Sequence, residues 1–287
     1  MQQELVIDVS EYETRVALYG DEILREVHIE RDGRYSLTGS IYLGRVDRVV
    51  PGIQAAFVEF GGERPGFLHV RDIVPGAMDV IDSDKRRVDE HARSRSEEPL
   101  DIRSVLHEGQ SLLVQVSKDP IAGKGARLTT NLTVAGRYLV LMPYNDRIGV
   151  SQRIREEAER ERLRNLMDDF RQEMSSNYGY IVRTVAEGVP IEDLEDDVEF
   201  LERLWQQVAE KAKAVANGEV VYQELPLHTR AVRDLVNTKV ESIVVNDEDT
   251  LAQVKDFMTS YMPEYISGLT LTADSKHQRH KLNEALE

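Results

Sequence analysis

The stretch AAFVEFGGERPGFLHV, residues 55–70, reads as two strands around a Gly-rich turn. Side chains alternate across a strand. Ala56, Val58 and Phe60 therefore share one face with Leu68 and Val70, and Ala55, Phe57 and Glu59 share the other with Phe67 and His69. The first face supplies an aliphatic core. The second leaves two phenylalanines among Glu59 and His69, although burying such a side chain is worth about 1.5–3 kcal/mol. Two explanations stay open at this point: the rings form an outward stacking surface, or a neighbouring domain covers them as ordinary core.

The chain around this hairpin has 287 residues, enough for two or three modest domains, and its 41% hydrophobic content is that of a globular protein. It contains no run of eighteen apolar residues, and its start, MQQELVIDVS, lacks the basic end and apolar core of a signal peptide. The expectation is a cytoplasmic protein with no membrane insertion. With no cysteine, disulfides and thiolate metal sites are excluded. The net charge of −16 argues against indiscriminate binding of polyanions. The acid is concentrated in EGVPIEDLEDDVEFLE (187–202) and VNDEDT (245–250), however, whereas Lys124, Arg127, Arg137, Arg147, Arg153 and Arg155 follow one another with only Asp146 between them. A locally basic strip on an acidic chain is consistent with this pattern.

Residues 4–30 carry three short runs of β-type residues separated by turn signals, a meander too small to fold alone. Strands continue over 38–73. The segment 75–100 is dense in both charges without periodicity and is expected to be a mobile surface loop; SLLVQVSKD (111–119) then resumes the β pattern. From Ser151 the period changes: Ile154, Ala158, Leu163, Met167, Phe170 and Met174 predict one amphipathic helix. A second starts after Pro190, with Leu194, Val198, Leu201, Trp205, Val208 and Ala212 along one face. GYIVRTVA (179–186) is a strand between them. The tail predicts a helix near 227–240, strand ESIVVND, helix DEDTLAQVKDFMTSYM and a short strand GLTLT. Strands from the two ends of the chain are expected to complete one α/β sheet, with everything between them inserted.

Preceded by SIYLGRVDRVVPG and followed by RDIVPG, the hairpin resembles the OB-fold RNA-binding domain that recurs in a ribosomal protein of the small subunit. Phe57, Phe67 and His69 fall where that domain stacks bases, and exposed rings there offer single-stranded nucleic acid roughly 1–3 kcal/mol per base. Downstream, DPIAGKGARLTT (119–130) places Lys124 between glycines ahead of Leu128, Thr129 and Thr130. Glycines let backbone and lysine approach a phosphate, and threonine hydroxyls add donors. A loop with a solvated lysine explains the same residues.

Taken in order, SIYLGRV, PGIQAAFVEFG, GFLHVRDI, KDPIAGKGARLTT, GRYLVLMP, GVSQRI and IVRTVAEG resemble the amino-terminal half of the bacterial ribonuclease E/G family, single-strand-specific endoribonucleases, over residues 4 to about 265. The resemblance implies an α+β multidomain fold. An S1-like OB-fold β-barrel (38–118) is inserted in a split RNase H-like subdomain (1–37 and 223–287), beside an α/β subdomain that senses the RNA 5′ end (119–222). By position, Phe57, Phe67 and Lys124 match residues that hold RNA in the family, with His69 beside them, and Arg183 and Thr184 match its pocket for a 5′-phosphate. The implied partner is single-stranded RNA, preferably 5′-monophosphorylated, rather than DNA; a homo-oligomer is an option for the full-length family.

The family cuts RNA with magnesium on paired aspartates and joins subunits through a zinc link, and neither motif occurs here. The resemblance therefore implies no catalytic or metal-binding residue and no cofactor in this chain, magnesium and structural zinc belonging to a nuclease portion. Neighbouring carboxylates, Asp82 with Asp84, Asp168 with Asp169 and Asp196 with Asp197, read as loop charge and solvated helix faces. Asp8, at the end of the first strand, matches an RNase H acid by position, but the sequence shows no companion acids for it. The functional expectation is the RNA-binding and 5′-monophosphate-sensing portion of a ribonuclease E/G-type endoribonuclease that acts on single-stranded RNA in RNA processing and decay, a portion inactive by itself. A stand-alone RNA-binding regulator and a protein-interaction module are the alternatives.

Overall fold

A computed structural model of the chain describes residues 3–31, 36–74, 101–121, 123–174, 177–237 and 239–272. The segment expected as a mobile loop, with Asp82 and Asp84, lies outside the described residues. The chain divides into two compact units, one made of Met1–Ser36 and Leu225–Glu287, the other of Leu37–Glu224.

The first unit opens with an antiparallel meander of β1 (Gln3–Val9), β2 (Glu13–Gly20) and β3 (Ile23–Arg31). Asp21 and Glu22 turn the β2–β3 hairpin with φ of 51° and 65°, the positive values that a two-residue turn needs to match strand twist.

The second unit begins with a closed barrel of five strands: β4 (Ile41–Val50), β5 (Ala55–Glu59), β6 (Gly66–His69), β7 (Ser111–Lys118) and β8 (Arg127–Thr129). A short helix, α1 (Ile102–Val105), precedes β7. Strands β4, β5 and β6 are sequential antiparallel neighbours, β8 runs parallel to β6 and antiparallel to β7, and β7 returns to β4. This topology is compatible with an OB-like fold. The predicted inward face fills the barrel, with Val46, Ala56, Val58, Phe60, Leu68, Leu112, Val114, Val116 and Leu128 in one buried cluster.

The chain then forms a small sheet, β9 (Val134–Ala135), β10 (Leu139–Met142), β11 (Ile148–Val150) and β12 (Gly179–Val182), in the order β11-β12-β10-β9. Helices α2 (Glu157–Met174) and α3 (Ile191–Ala214) bury Leu163, Met167, Leu194, Val198, Leu201 and Trp205 against Leu139, Leu141, Tyr180 and Val182. Ile41, Leu43 and Leu113 of the barrel join the same cluster. Helix α2 starts later than the periodicity suggests. Ser151 is committed to β12, its N–H donating to the Val182 carbonyl at 2.9 Å, and Ile154 is buried in the turn before the helix. A last strand of this unit, β13 (Val220–Tyr222), pairs antiparallel with β4.

The chain re-enters the first unit as α4 (Leu227–Leu235), β14 (Val240–Val245), α5 (Glu248–Tyr261) and β15 (Leu269–Leu271). Strand β14 runs parallel to β1, and β15 parallel to β14, so the sheet reads β15-β14-β1-β2-β3 and joins both ends of the chain. Helices α4 and α5 cover one face of it, Val232, Val254 and Met258 packing with Leu5, Ile7, Val16 and Leu18. Asp247 starts α5 by accepting the N–H of Thr250 at 2.8 Å.

Candidate nucleic-acid interface

Strands β5 and β6 pair in the register that sets Phe57 directly opposite Phe67. The rings meet edge to face, with centroids 6.1 Å apart and planes at 69°, and His69 continues the row with its centroid 6.4 Å from Phe67. On the other side β4 places Arg48 opposite Phe57, its guanidinium 5.3 Å from the ring centroid, within cation–π range. Phe57, Phe67 and His69 are half-buried, and the phenylalanines belong to none of the hydrophobic clusters, while Ala56, Val58 and Leu68 behind them are fully buried. Ala55 shares the outer face but is buried. The Nδ1 of His69 accepts the N–H of Arg71 at 3.2 Å, so the neutral imidazole carries its proton on Nε2.

The Lys124 segment is held against the turn of this hairpin. Its own N–H donates to Ile121 at 3.0 Å, and Arg64 of the turn donates to the Gly123 carbonyl. Gly125 packs so closely that an added Cβ would stand 1.9 Å from the Pro65 oxygen, a contact that only glycine permits. The next residue, Ala126, accepts the N–H of Phe67 at 2.7 Å, and Arg127 pairs with Phe67 in β8. Lys124 is thus exposed on the segment that leads directly to the ring row. The hydroxyls of the threonines that follow already have partners within the protein. Thr129 donates to the Asp72 carbonyl at 2.9 Å, and Thr130 is buried and accepts the N–H of Val74 at 2.7 Å. Both hydroxyls tie the end of β8 to the segment that follows β6.

Arg183 and Thr184 lie just past β12, both half-buried. The backbone of Arg183 donates to Tyr138 at 2.8 Å, and its Nη1 donates to the carbonyls of Gly136 at 2.9 Å and Arg137 at 3.3 Å. The hydroxyls of Thr184 and Ser151 are 2.9 Å apart. Behind the 136–139 turn stands Asp197 of α3, only 8% exposed. Its Oδ1 accepts the N–H of Arg137 at 3.0 Å, and its Oδ2 accepts those of Tyr138 at 2.9 Å and Leu139 at 2.8 Å. Burial pushes its pKa above the usual carboxylate range, against the three N–H donors and the positive charge of Arg183. A solvated helix face was expected for Asp197, and the structure corrects this. Asp197 lies three residues after Leu194 and four before Leu201, on the apolar stripe that faces the sheet, and that spacing was the signal available in the sequence.

Comparison with known proteins gives these residues a context. The model of the Ribonuclease E/G family matches residues 133–287, and thus continues past residue 265, where the sequence motifs fade. Ribonuclease G of Salmonella typhimurium (strain SL1344) is 42% identical over 269 residues, 94% of this chain and 53% of that protein. The chain belongs to the ribonuclease E/G family. Ribonuclease G of Escherichia coli (strain K12) is 41% identical over the same number of residues, and ribonuclease E of Nostoc sp. (strain PCC 7120) is 34% identical over 256 residues, 89% of this chain and 34% of that protein. The chain spans about half the length of the ribonuclease G relatives it matches.

Among the described residues, the carboxylates singled out in the sequence have structural partners or lie on the surface. Asp8 is buried at the end of β1 and accepts from the side-chain amide of Asn246 at 2.6 Å. Asp168 pairs with Arg171 across one turn of α2 at 3.4 Å, and Asp169 is exposed. Among the described residues no three His, Cys, Asp or Glu side chains are grouped to hold a metal ion. Among the described residues, no helix is long and apolar enough to cross a membrane. Beyond the residues read from the sequence, the structure adds Arg48 to the ring row and Asp197 to the turn around Arg183.

Proposed function

We propose that this chain captures single-stranded RNA and reads its 5′ end on behalf of a ribonuclease E/G-type endoribonuclease of RNA processing and decay. The observation that carries the reading is the ring row: Phe57 and Phe67 stand face to edge on a barrel surface, outside every described core, with Arg48 on one side and His69 on the other. Stacking on such rings tolerates any base, which suits a substrate defined by being single-stranded. The barrel is read as an S1-like OB-fold and the sheet shared by both ends of the chain as RNase H-like. Residues 119–222 are read as the 5′ sensor, in which the guanidinium of Arg183 and the hydroxyl of Thr184 bind a terminal monophosphate by charge-assisted and neutral hydrogen bonds. The work would take place in the cytoplasm, with hydrolysis left to a nuclease portion.

Titration of the purified chain into labelled, unstructured oligoribonucleotides tests this reading. Binding is expected, tighter by about tenfold for a 5′-monophosphate than for a 5′-hydroxyl, the value of one charge-assisted hydrogen bond. The same RNA is expected to remain uncut in magnesium. Absence of binding would overturn the capture role; binding with equal affinity for both ends would overturn the sensor.

A further inference from the structure

We infer that Asp197 is the positioning residue of the 5′-phosphate site: its carboxylate fixes the 136–139 turn, and that turn fixes Arg183. This deepens the sensor reading proposed above and rests on it. The chain of contacts is short. Asp197 accepts three consecutive backbone N–H groups, those of Arg137, Tyr138 and Leu139, at 2.8–3.0 Å. The carbonyls of the same turn, at Gly136 and Arg137, accept from Nη1 of Arg183 at 2.9 and 3.3 Å, and the Tyr138 carbonyl accepts the backbone N–H of Arg183 at 2.8 Å. Two opposite faces of one turn are thereby used, the N–H face by the buried acid and the C=O face by the arginine.

The arrangement explains why an acid stands on the apolar stripe of α3. A buried carboxylate is costly unless hydrogen-bonded, and three N–H donors from one turn are what a carboxylate matches and an apolar side chain does not. It also explains Gly136. A Cβ there would lie 2.5 Å from Oδ1 and 2.6 Å from Oδ2 of Asp197, so the residue must be glycine for the carboxylate to reach its donors. A planar guanidinium binds phosphate through a fixed fork of donors, and holding Nη1 on two carbonyls sets the orientation of the rest of that fork before RNA arrives.

The test is the ratio of affinities for 5′-monophosphorylated and 5′-hydroxyl forms of one oligoribonucleotide, measured on the whole chain. Asp197→Asn keeps the shape but offers an amide where three donors converge. The ratio is expected to fall toward one while affinity for the 5′-hydroxyl RNA, held by the ring row, stays as in the parent. Gly136→Ala is the second variant, because it displaces the carboxylate from the other side and perturbs only the end of a side chain; it is expected to lower the ratio in the same direction. A folded Asp197→Asn or Gly136→Ala chain that keeps the parental ratio overturns the inference and leaves the sensor intact. A parent chain with a ratio of one overturns the sensor reading itself, and the two failures are told apart by the parent measurement.

Discussion

The ring row on the barrel and the turn around Arg183, the two contacts proposed for RNA, are built in opposite ways. At the ring row, apolar side chains are left half-exposed on a rigid sheet, and the order comes from strand register, Phe57 opposite Phe67 and Arg48 opposite Phe57. At the turn, a charged side chain is buried on the core side of a helix, and the order comes from hydrogen bonds that converge on Asp197. The first arrangement sacrifices apolar burial in the free protein and, in the proposed role, would recover it with a stacked base. The second sacrifices carboxylate hydration and offsets only part of that loss with three N–H donors inside the protein, before any ligand is present. A stacking surface is therefore expected to contribute to affinity with little effect on the fold, and the turn to couple specificity to stability.

The largest expected effect belongs to the turn. Asp197→Ala strands three buried N–H donors, and urea denaturation should show a loss of about 3 kcal/mol, against a negligible change for Phe57→Ala. Equal stability losses for the two would erase the contrast. The pH dependence has a definite sign. Because burial raises the pKa of Asp197, the folded chain holds that proton more tightly than the unfolded one, and ionisation subtracts stability. The contribution of Asp197 is complete below the ordinary carboxylate pKa and is lost as pH rises through the raised folded value. The stability of the parent relative to Asp197→Asn should decline across that window; a rise would mean that the three N–H donors outweigh desolvation.

Smaller effects sharpen the description of the ring row. Arg48→Ala should weaken binding of an unstructured oligoribonucleotide by about 0.5–1 kcal/mol through loss of the cation–π contact and its charge, with Arg48→Lys retaining part of it; identical affinities for parent and Arg48→Ala would remove Arg48 from the interface. Lys124→Ala should be felt mainly in salt dependence. One phosphate contact less lowers the slope of log affinity against log salt by about 0.7 for a single strand, and an unchanged slope would return Lys124 to a solvated loop.

The comparison also separates what the sequence made legible from what it hid. The strand alternation of 55–70 placed Phe57, Phe67 and His69 on the outer face because the period of a strand is local, and the inner face is fully buried as read. The sheet completed by both chain ends was visible because LVIDV and SIVVN are apolar runs of strand length. What was not legible depends on contacts distant in sequence. The partners of Asp197 lie 58 to 60 residues away in the chain, and the acidic run around it disguised a buried group as one more solvated charge. The strand Arg127–Thr129 was hidden in a Gly-Lys-Gly segment that reads as loop, because its pairing with β6 and β7 is set by the closed barrel and not by any pattern of its own.

The central claim is that base stacking and end recognition are two independent contacts with one RNA. It is tested most directly by measuring parent, Phe57→Ala, Arg183→Ala and the double variant against one oligoribonucleotide bearing either a 5′-monophosphate or a 5′-hydroxyl. Phe57→Ala is predicted to weaken both forms equally, by roughly 1–3 kcal/mol, and Arg183→Ala to weaken only the monophosphorylated form, with the two losses adding in the double variant. Unchanged affinity in a folded Phe57→Ala chain, or an equal loss for both RNA ends in Arg183→Ala, would contradict it.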